Sequence, residues 1–123
     1  MKLKNSQLQP LLDVLLKLEP EGKPPFVFSG KVRYNLARNL KRLGSALDEL
    51  ESLRVKMVRE RLAPGETELA EDTRMDFIRL YSDVLDAETD IDLFTVSPTD
   101  LDLDKNQIPL VVLTQVIGTV LTE

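Results

Sequence analysis

Residues 31–62 read KVRYNLARNLKRLGSALDELESLRVKMVRERL, a run in which an apolar residue returns at every seventh position. Further leucines stand between the first of these positions, so the apolar spacing is three or four residues from Leu36 to Leu50. Such spacing places side chains on one face only when the chain turns every 3.6 residues. We call this face the seam, and its members are Leu36, Leu40, Leu43, Leu47, Leu50 and Met57. The run predicts a long helix at about 31–62.

Residues on either side of this run set the ends of the helix. Ser29 can cap the first turn through its hydroxyl group, and Pro64 and Gly65 interrupt helical backbone at the other end. At 1.5 Å per residue the helix is about 48 Å long, which exceeds twice the radius of gyration expected for so small a domain. We therefore expect this helix to extend beyond the rest of the domain or to be covered by a partner. Gly44 in its middle predicts a bend or a close helix crossing.

The seam has two interpretations. It is either ordinary core within one chain or an interface, such as a coiled coil between chains. Arg54 and Arg61 occupy positions where a long regular coiled coil needs apolar residues, which counts against that form of the interface. The residues predicted to form a protein interface are Leu36, Leu40, Leu43, Leu47, Leu50, Met57, Val112 and Val116.

The remaining chain predicts shorter helices around the long one, in a single helical domain spanning residues 1–123. Ser6 and Gln9 have the spacing of a capping box, and a Leu-rich helix follows it to about Leu18. Further helices are predicted from an acidic start within 66–72 to about Asp86, as a single capped turn at Ser97–Asp100, and from Pro109 to about Leu121. Residues 1–4 and 91–96 are expected to pair as a small two-stranded sheet.

Composition excludes several classes of site. The chain has 123 residues, 42% of them apolar, with no cysteine and no histidine. Disulfides and thiolate sites are therefore excluded, and so are the commonest general base and the commonest metal ligand. The longest apolar stretch, Ile108–Leu121, is too short and too interrupted to span a bilayer, and the chain opens without the apolar region of a signal peptide. We expect no membrane contact.

Charge is segregated along the sequence, although the net charge is only −5. Residues 31–62 carry nine Lys or Arg against four acids, whereas residues 86–104 carry seven acids and no base. We expect the acidic segment to lie near the basic helix, or both to stay hydrated.

Nucleic-acid binding is an alternative use of the basic residues. It would use two basic clusters, with Tyr34 as a platform on which a base stacks. These clusters are Arg33, Arg38, Lys41 and Arg42, and Arg54, Lys56, Arg59 and Arg61. The negative net charge disfavours a polyanion, so nucleic acid is not an expected partner.

One loop has the oxygen spacing of a calcium site. Asp100, Asp102, Asp104 and Asn106 alternate as in an EF-hand, but Lys105 stands where glycine is required and Val111 where the bidentate glutamate belongs. We interpret it as a hydrated acidic loop with Leu101 and Leu103 turned inward. No glycine-rich phosphate loop and no nucleophile with an adjacent base is present. We therefore predict no enzyme activity, no catalytic residue, no cofactor and no metal.

Strings at both ends of the chain resemble one family. Residues 2–10 read KLKNSQLQP, residues 34–39 read YNLARN at the start of a long charged helix, and residues 90–97 read DIDLFTVS before Asp100 and Leu101. Together they resemble a family of small tailed-bacteriophage proteins of unknown function. The resemblance implies a phage origin and helical architecture, and brings no established activity or catalytic residue.

These observations favour a non-enzymatic phage accessory protein that acts through protein contacts, as a structural or assembly adaptor in the virion. The alternative is a phage regulator or inhibitor that binds a host protein, such as a nucleic-acid-binding or defence factor, through its acidic segment. The expected partner is a phage structural protein or a host protein, with self-association also open. The expected location is the host cytoplasm or the virion.

Overall fold

In a computed structural model, which describes residues 1–117 and 119–121, the chain is mainly helical with one small sheet. This confirms the predicted fold class. The elements, in chain order, are β1 (Lys2–Lys4), α1 (Asn5–Leu18), α2 (Gly30–Arg61), α3 (Glu71–Asp86), β2 (Glu88–Asp90), α4 (Pro98–Leu101) and α5 (Leu110–Val116).

Helix α2 has 32 residues and is the long helix that the seam predicts. The hydroxyl of Ser29 accepts a hydrogen bond of 3.2 Å from the backbone N–H of Val32, so the predicted N-cap is confirmed. The helix ends at Arg61. Gly65 then adopts a φ of 84°, a left-handed conformation that glycine adopts without steric penalty, and the chain reverses there.

Helix α1 packs antiparallel along the first two thirds of α2. The Glu19 carboxylate just after α1 lies 2.8 Å from Arg33 near the start of α2, while Asn5 at the other end of α1 lies beside the middle of α2. The apolar face of α1 meets the inner part of the seam and α5 in one core. The side chains with almost no exposure include Leu8, Leu15, Leu18, Leu36, Leu43, Leu101 and Val116.

The start of α1 differs from the prediction. The helix begins at Asn5, and the backbone N–H of Lys4 donates to the side-chain oxygen of Gln7 at 2.8 Å. The predicted box of Ser6 and Gln9 is therefore wrong by two residues. The physical reason is that Asn5 is tied to the end of α3, because its side-chain amide donates to the carbonyl of Val84 at 2.7 Å.

Helix α3 packs against both α1 and α2, with Tyr81 and Leu85 next to the middle of α2. It begins at Glu71, at the late edge of the predicted start within 66–72. The residues before it form a turn, in which the Glu66 carboxylate accepts a hydrogen bond of 3.0 Å from the backbone N–H of Ala63. No side chain of α3 is fully buried.

The predicted sheet forms, but its second strand lies earlier than expected. Strands β1 and β2 pair antiparallel with Leu3 opposite Thr89, so β2 is at 88–90 and not at 91–96. After β2 the backbone leaves the sheet because side chains of α2 take over its hydrogen bonds. Asn39 bonds both polar groups of Phe94, and Arg42 donates to the carbonyl of Asp92.

In the C-terminal region, one prediction is confirmed and one is wrong. The Ser97 hydroxyl accepts from the backbone N–H of Asp100 at 3.1 Å, and the Asp100 carboxylate accepts from that of Ser97 at 2.9 Å, as the predicted capped turn requires. Helix α5, in contrast, ends at Val116, so the predicted end at about Leu121 is wrong. The chain turns back so that the backbone N–H of Val96 donates to the carbonyl of Val120, at 2.7 Å, and this turn buries the last valine and leucine.

None of the helices in the described ranges combines the length and the apolar composition needed to cross a bilayer.

Candidate functional site

The eight predicted interface residues fall into two groups. Those buried inside the protomer are Leu36, Leu43, Met57, Val112 and Val116. Their apolar surface is already covered by the same chain, and all but Met57 belong to its main core cluster. An interface through these five side chains would require the protomer to open. The other three, Leu40, Leu47 and Leu50, are half-buried at the edge of the core.

Leu47 and Leu50 line a groove of about 450 Å³ where α1, α2 and α3 meet. Tyr81 and Leu85 of α3 form its second apolar wall. Polar side chains of α1, including Gln9, form the third wall. Half-buried leucines beside an open volume keep part of their apolar surface in contact with water, which is unfavourable by roughly 25 cal/mol per Å². An apolar side chain that enters this groove would cover that surface and therefore bind favourably.

Leu40 lines a second groove, of about 470 Å³, nearer the start of α2. Its apolar walls are Leu12 and Leu16 of α1 and Ala37 of α2. The lining residues of the two grooves include positions 5, 9, 12 and 16 of α1 and positions 37, 40, 47 and 51 of α2, and both sets follow helical spacing. The two grooves therefore lie in line on one side of the α1–α2 pair. We call this line of two grooves the furrow.

Gly44 lies on α2 between the two grooves. It is three residues before Leu47 and four after Leu40, so it shares their face of the helix. A Cβ atom built on Gly44 meets no atom of the described residues within 4 Å. The furrow is thus open at its centre, and the backbone of α2 is accessible there to a close approach.

Charged groups along the furrow divide into paired and free ones. Glu19 is bound by both Nε and Nη2 of Arg33, and this hydrogen bonding raises the pKa of Arg33. Arg54 binds Glu51 in the same bidentate way, with a shortest distance of 2.6 Å, and lowers the pKa of that carboxyl. Lys41 and Asp48 are both exposed, and neither forms an ion pair within residues 1–117 and 119–121.

Two members of the first basic cluster, Arg38 and Arg42, lie on the opposite edge of α2, where the acidic segment packs against them, which is the first of the two arrangements expected from the sequence. Arg42 forms an ion pair of 3.2 Å with Asp92, and its guanidinium lies 4.9 Å from the centre of the Phe94 ring. Arg38 lies 5.5 Å from the same ring and donates to the Tyr34 hydroxyl at 2.8 Å. This column of stacked groups was not predicted from the sequence. The spacing of the two arginines, four residues apart, is the signal that places them over one ring.

This cluster borders a groove of about 600 Å³ in which the charges balance. Its charged lining residues are Arg38, Lys41, Arg42, Glu49, Asp90 and Asp92. Among the described residues, three cations and three anions line this groove and give it no net positive charge, whereas phosphate binding depends on a positive field.

Three of the four oxygen-bearing side chains of the acidic loop, those of Asp100, Asp102 and Asn106, bind groups within the protein. Asp100 caps α4, Asp102 lies 3.7 Å from Lys105, and the Asn106 side chain bonds the backbone of Val27 through both of its polar atoms. Leu101 is buried as predicted, but Leu103 is exposed, so the inward orientation predicted for Leu103 is wrong. Within the described ranges no group of three or more acidic side chains is arranged to hold a metal ion.

Comparison of the chain with protein-family models, with curated proteins and with solved structures finds no match.

Proposed function

We propose that this chain is a non-enzymatic phage accessory protein that binds another polypeptide in the furrow, as a structural or assembly adaptor in the virion. The single observation that supports this proposal is the open, leucine-walled furrow along the α1–α2 pair, with Leu40, Leu47 and Leu50 only half covered. A groove between helices with apolar walls and a polar rim is the type of surface that accepts an amphipathic helix. The phage origin is supported by the resemblance of the sequence strings alone.

The test is capture of partners by the immobilised chain. It is incubated separately with purified phage particles disrupted into their components and with host extract, and bound proteins are identified by mass spectrometry. We expect a capsid or tail protein to bind. Leu47→Glu places a charge in the furrow wall and is expected to abolish that binding. Val27→Glu is the matched control, because the Val27 side chain is 78% exposed and does not line the furrow.

The rival function, capture of a host protein by the acidic segment, predicts a different pattern. Asp86, Glu88 and Asp104 are exposed and form no ion pair within the described ranges. If a single host protein binds, if replacing these three acids by their amides removes it, and if Leu47→Glu leaves it bound, the adaptor proposal is wrong.

A further inference from the structure

We infer that, in the absence of a virion protein, the furrow is filled by a second copy of this chain, with α2 of one protomer crossing α2 of its partner antiparallel at Gly44. This inference rests on the proposed function, because it names the occupant of the same furrow. It depends on three independent features: a glycine without a role inside the protomer, a pair of charges placed symmetrically around it, and half-buried leucines on either side.

The glycine is the first feature. A glycine in the middle of a helix is unfavourable, because it has more conformational freedom to lose than any other residue. Gly44 lies inside α2 and makes no turn, and no atom of the described residues lies within 4 Å of the position of its missing Cβ. A helix that approaches from outside does need that space, because the absence of a side chain lets two backbones come close.

The charges are the second feature. Lys41 lies three residues before Gly44 and Asp48 lies four residues after it, on the same face of α2. A two-fold axis that passes between residues 44 and 45, perpendicular to the helix, relates position 41 of one copy to position 48 of the other. Each Lys41 then faces the partner's Asp48, and the interaction occurs twice. An interface of this kind is closed and uses the same patch on both protomers.

The leucines are the third feature. Leu40 and Leu47 stand on either side of the crossing point, and both keep part of their surface in the open grooves. In the crossed pair, α2 of the second copy lies over both grooves at once. The wall that α1 forms, with Leu12 and Leu16, extends the contact to a bundle of four helices, which is a common way for two helical hairpins to bury their apolar faces.

Charge reversal at Lys41 and Asp48 provides a test whose expected result cannot be explained by misfolding. Lys41→Asp and Asp48→Lys each place like charges opposite one another, so each variant alone is expected to dissociate at least about 10-fold more readily than wild type. Mixed in equal amounts, the two variants have opposite charges at both contacts and are expected to form a heterodimer. The measurement is light scattering coupled to size exclusion, at low ionic strength and from low to high micromolar concentration. A wild type that is monomeric at every concentration overturns the inference, and so does a Lys41→Asp variant as dimeric as wild type.

Gly44→Gln provides the second test. Glutamine favours helix more than glycine does, and its side chain has open space in the protomer, so at a concentration where both proteins are monomeric the variant is expected to unfold at a higher temperature than wild type. The same side chain fills the crossing point and is expected to abolish the dimer. A variant that is both more stable and fully dimeric would show that the two helices do not cross there.

Failure of this inference is distinguishable from failure of the proposed function. A monomeric wild type that captures a capsid or tail protein through Leu47 overturns the dimer and leaves the adaptor proposal in place. A chain that dimerises through Lys41 and Asp48 but captures no phage protein supports the dimer and overturns the adaptor proposal.

Discussion

The side-chain amide of Asn39 holds the backbone of Phe94 by two hydrogen bonds. Its Nδ2 donates to the Phe94 carbonyl at 2.8 Å, and its Oδ1 accepts from the Phe94 N–H at 2.7 Å. Asn39 has no solvent exposure and lies in the middle of the apolar face of α2. The pair supplies the irregular segment after β2 with the hydrogen bonds that a neighbouring strand would otherwise provide.

Asn39→Leu is expected to destabilise the protein by about 2–4 kcal/mol. Leucine has a similar volume but no polar atoms, so the N–H and the carbonyl of Phe94 both lose their partner on burial. Urea unfolding followed by circular dichroism measures the change. Asn35→Leu is the control, because Asn35 lies on the same helix, is half-buried and forms no side-chain hydrogen bond within the described ranges, and its effect is expected to stay within about 0.5 kcal/mol. Equal effects of the two substitutions would contradict this role of Asn39.

The sequence predicted the parts of the fold that depend on neighbours a few residues apart. The spacing of the seam gave α2, and the hydroxyls of Ser29 and Ser97 gave two caps, because the groups involved lie within one turn of each other. It did not predict the contacts of the buried asparagines. Asn39 and Asn106 bond backbone that is 55 and 79 residues away, and local spacing does not distinguish them from asparagines in contact with water.

Only part of the candidate site could be predicted, because local spacing again does not show which distant element packs against a residue. The seam correctly identified Leu40, Leu47 and Leu50 as apolar positions of α2, but periodicity does not show which edge of an apolar face a neighbouring helix covers. Helix α1 covers the side that contains Leu36 and Leu43 and leaves the other edge open. The furrow therefore depends on how two helices pack, and the sequence pattern of α2 alone does not contain this information.

Acid is expected to weaken the capped turn at α4. The hydrogen bonds from Ser97 hold the pKa of the Asp100 carboxyl below its ordinary value of 3.8. A carboxyl with a depressed pKa in the folded state adds stability that is fully present above pH 3.8 and is lost as the pH falls through the lower folded value. Wild type is therefore expected to lose more stability below pH 3.8 than Asp100→Asn, in urea unfolding across that range. Parallel pH profiles of the two proteins would contradict the assignment.

Two glycines are expected to respond to alanine in opposite directions. Gly44→Ala is expected to stabilise the isolated protomer by about 0.5–1 kcal/mol, because the backbone is helical and no atom in the described part of the chain lies within 4 Å of the new methyl group. Gly65→Ala is expected to destabilise it by about 1 kcal/mol, because a φ of 84° strains any residue with a Cβ. Thermal unfolding at a concentration where the chain is monomeric measures both. A destabilising Gly44→Ala would mean that the space beside Gly44 is occupied within the protomer.

Substitutions of two seam leucines, Leu43 and Leu47, are expected to have different effects on folding free energy and on binding. Leu43 has no exposure, so Leu43→Ala leaves a cavity in the core and is expected to cost about 2–5 kcal/mol of folding free energy. Leu47 is half-buried in the furrow wall, so Leu47→Ala is expected to cost about 1 kcal/mol and to weaken whatever binds there. Urea unfolding and light scattering on the same samples measure the two effects. If Leu47→Ala destabilises the monomer as much as Leu43→Ala and leaves binding unchanged, the seam is core along its whole width and the furrow is not a binding surface.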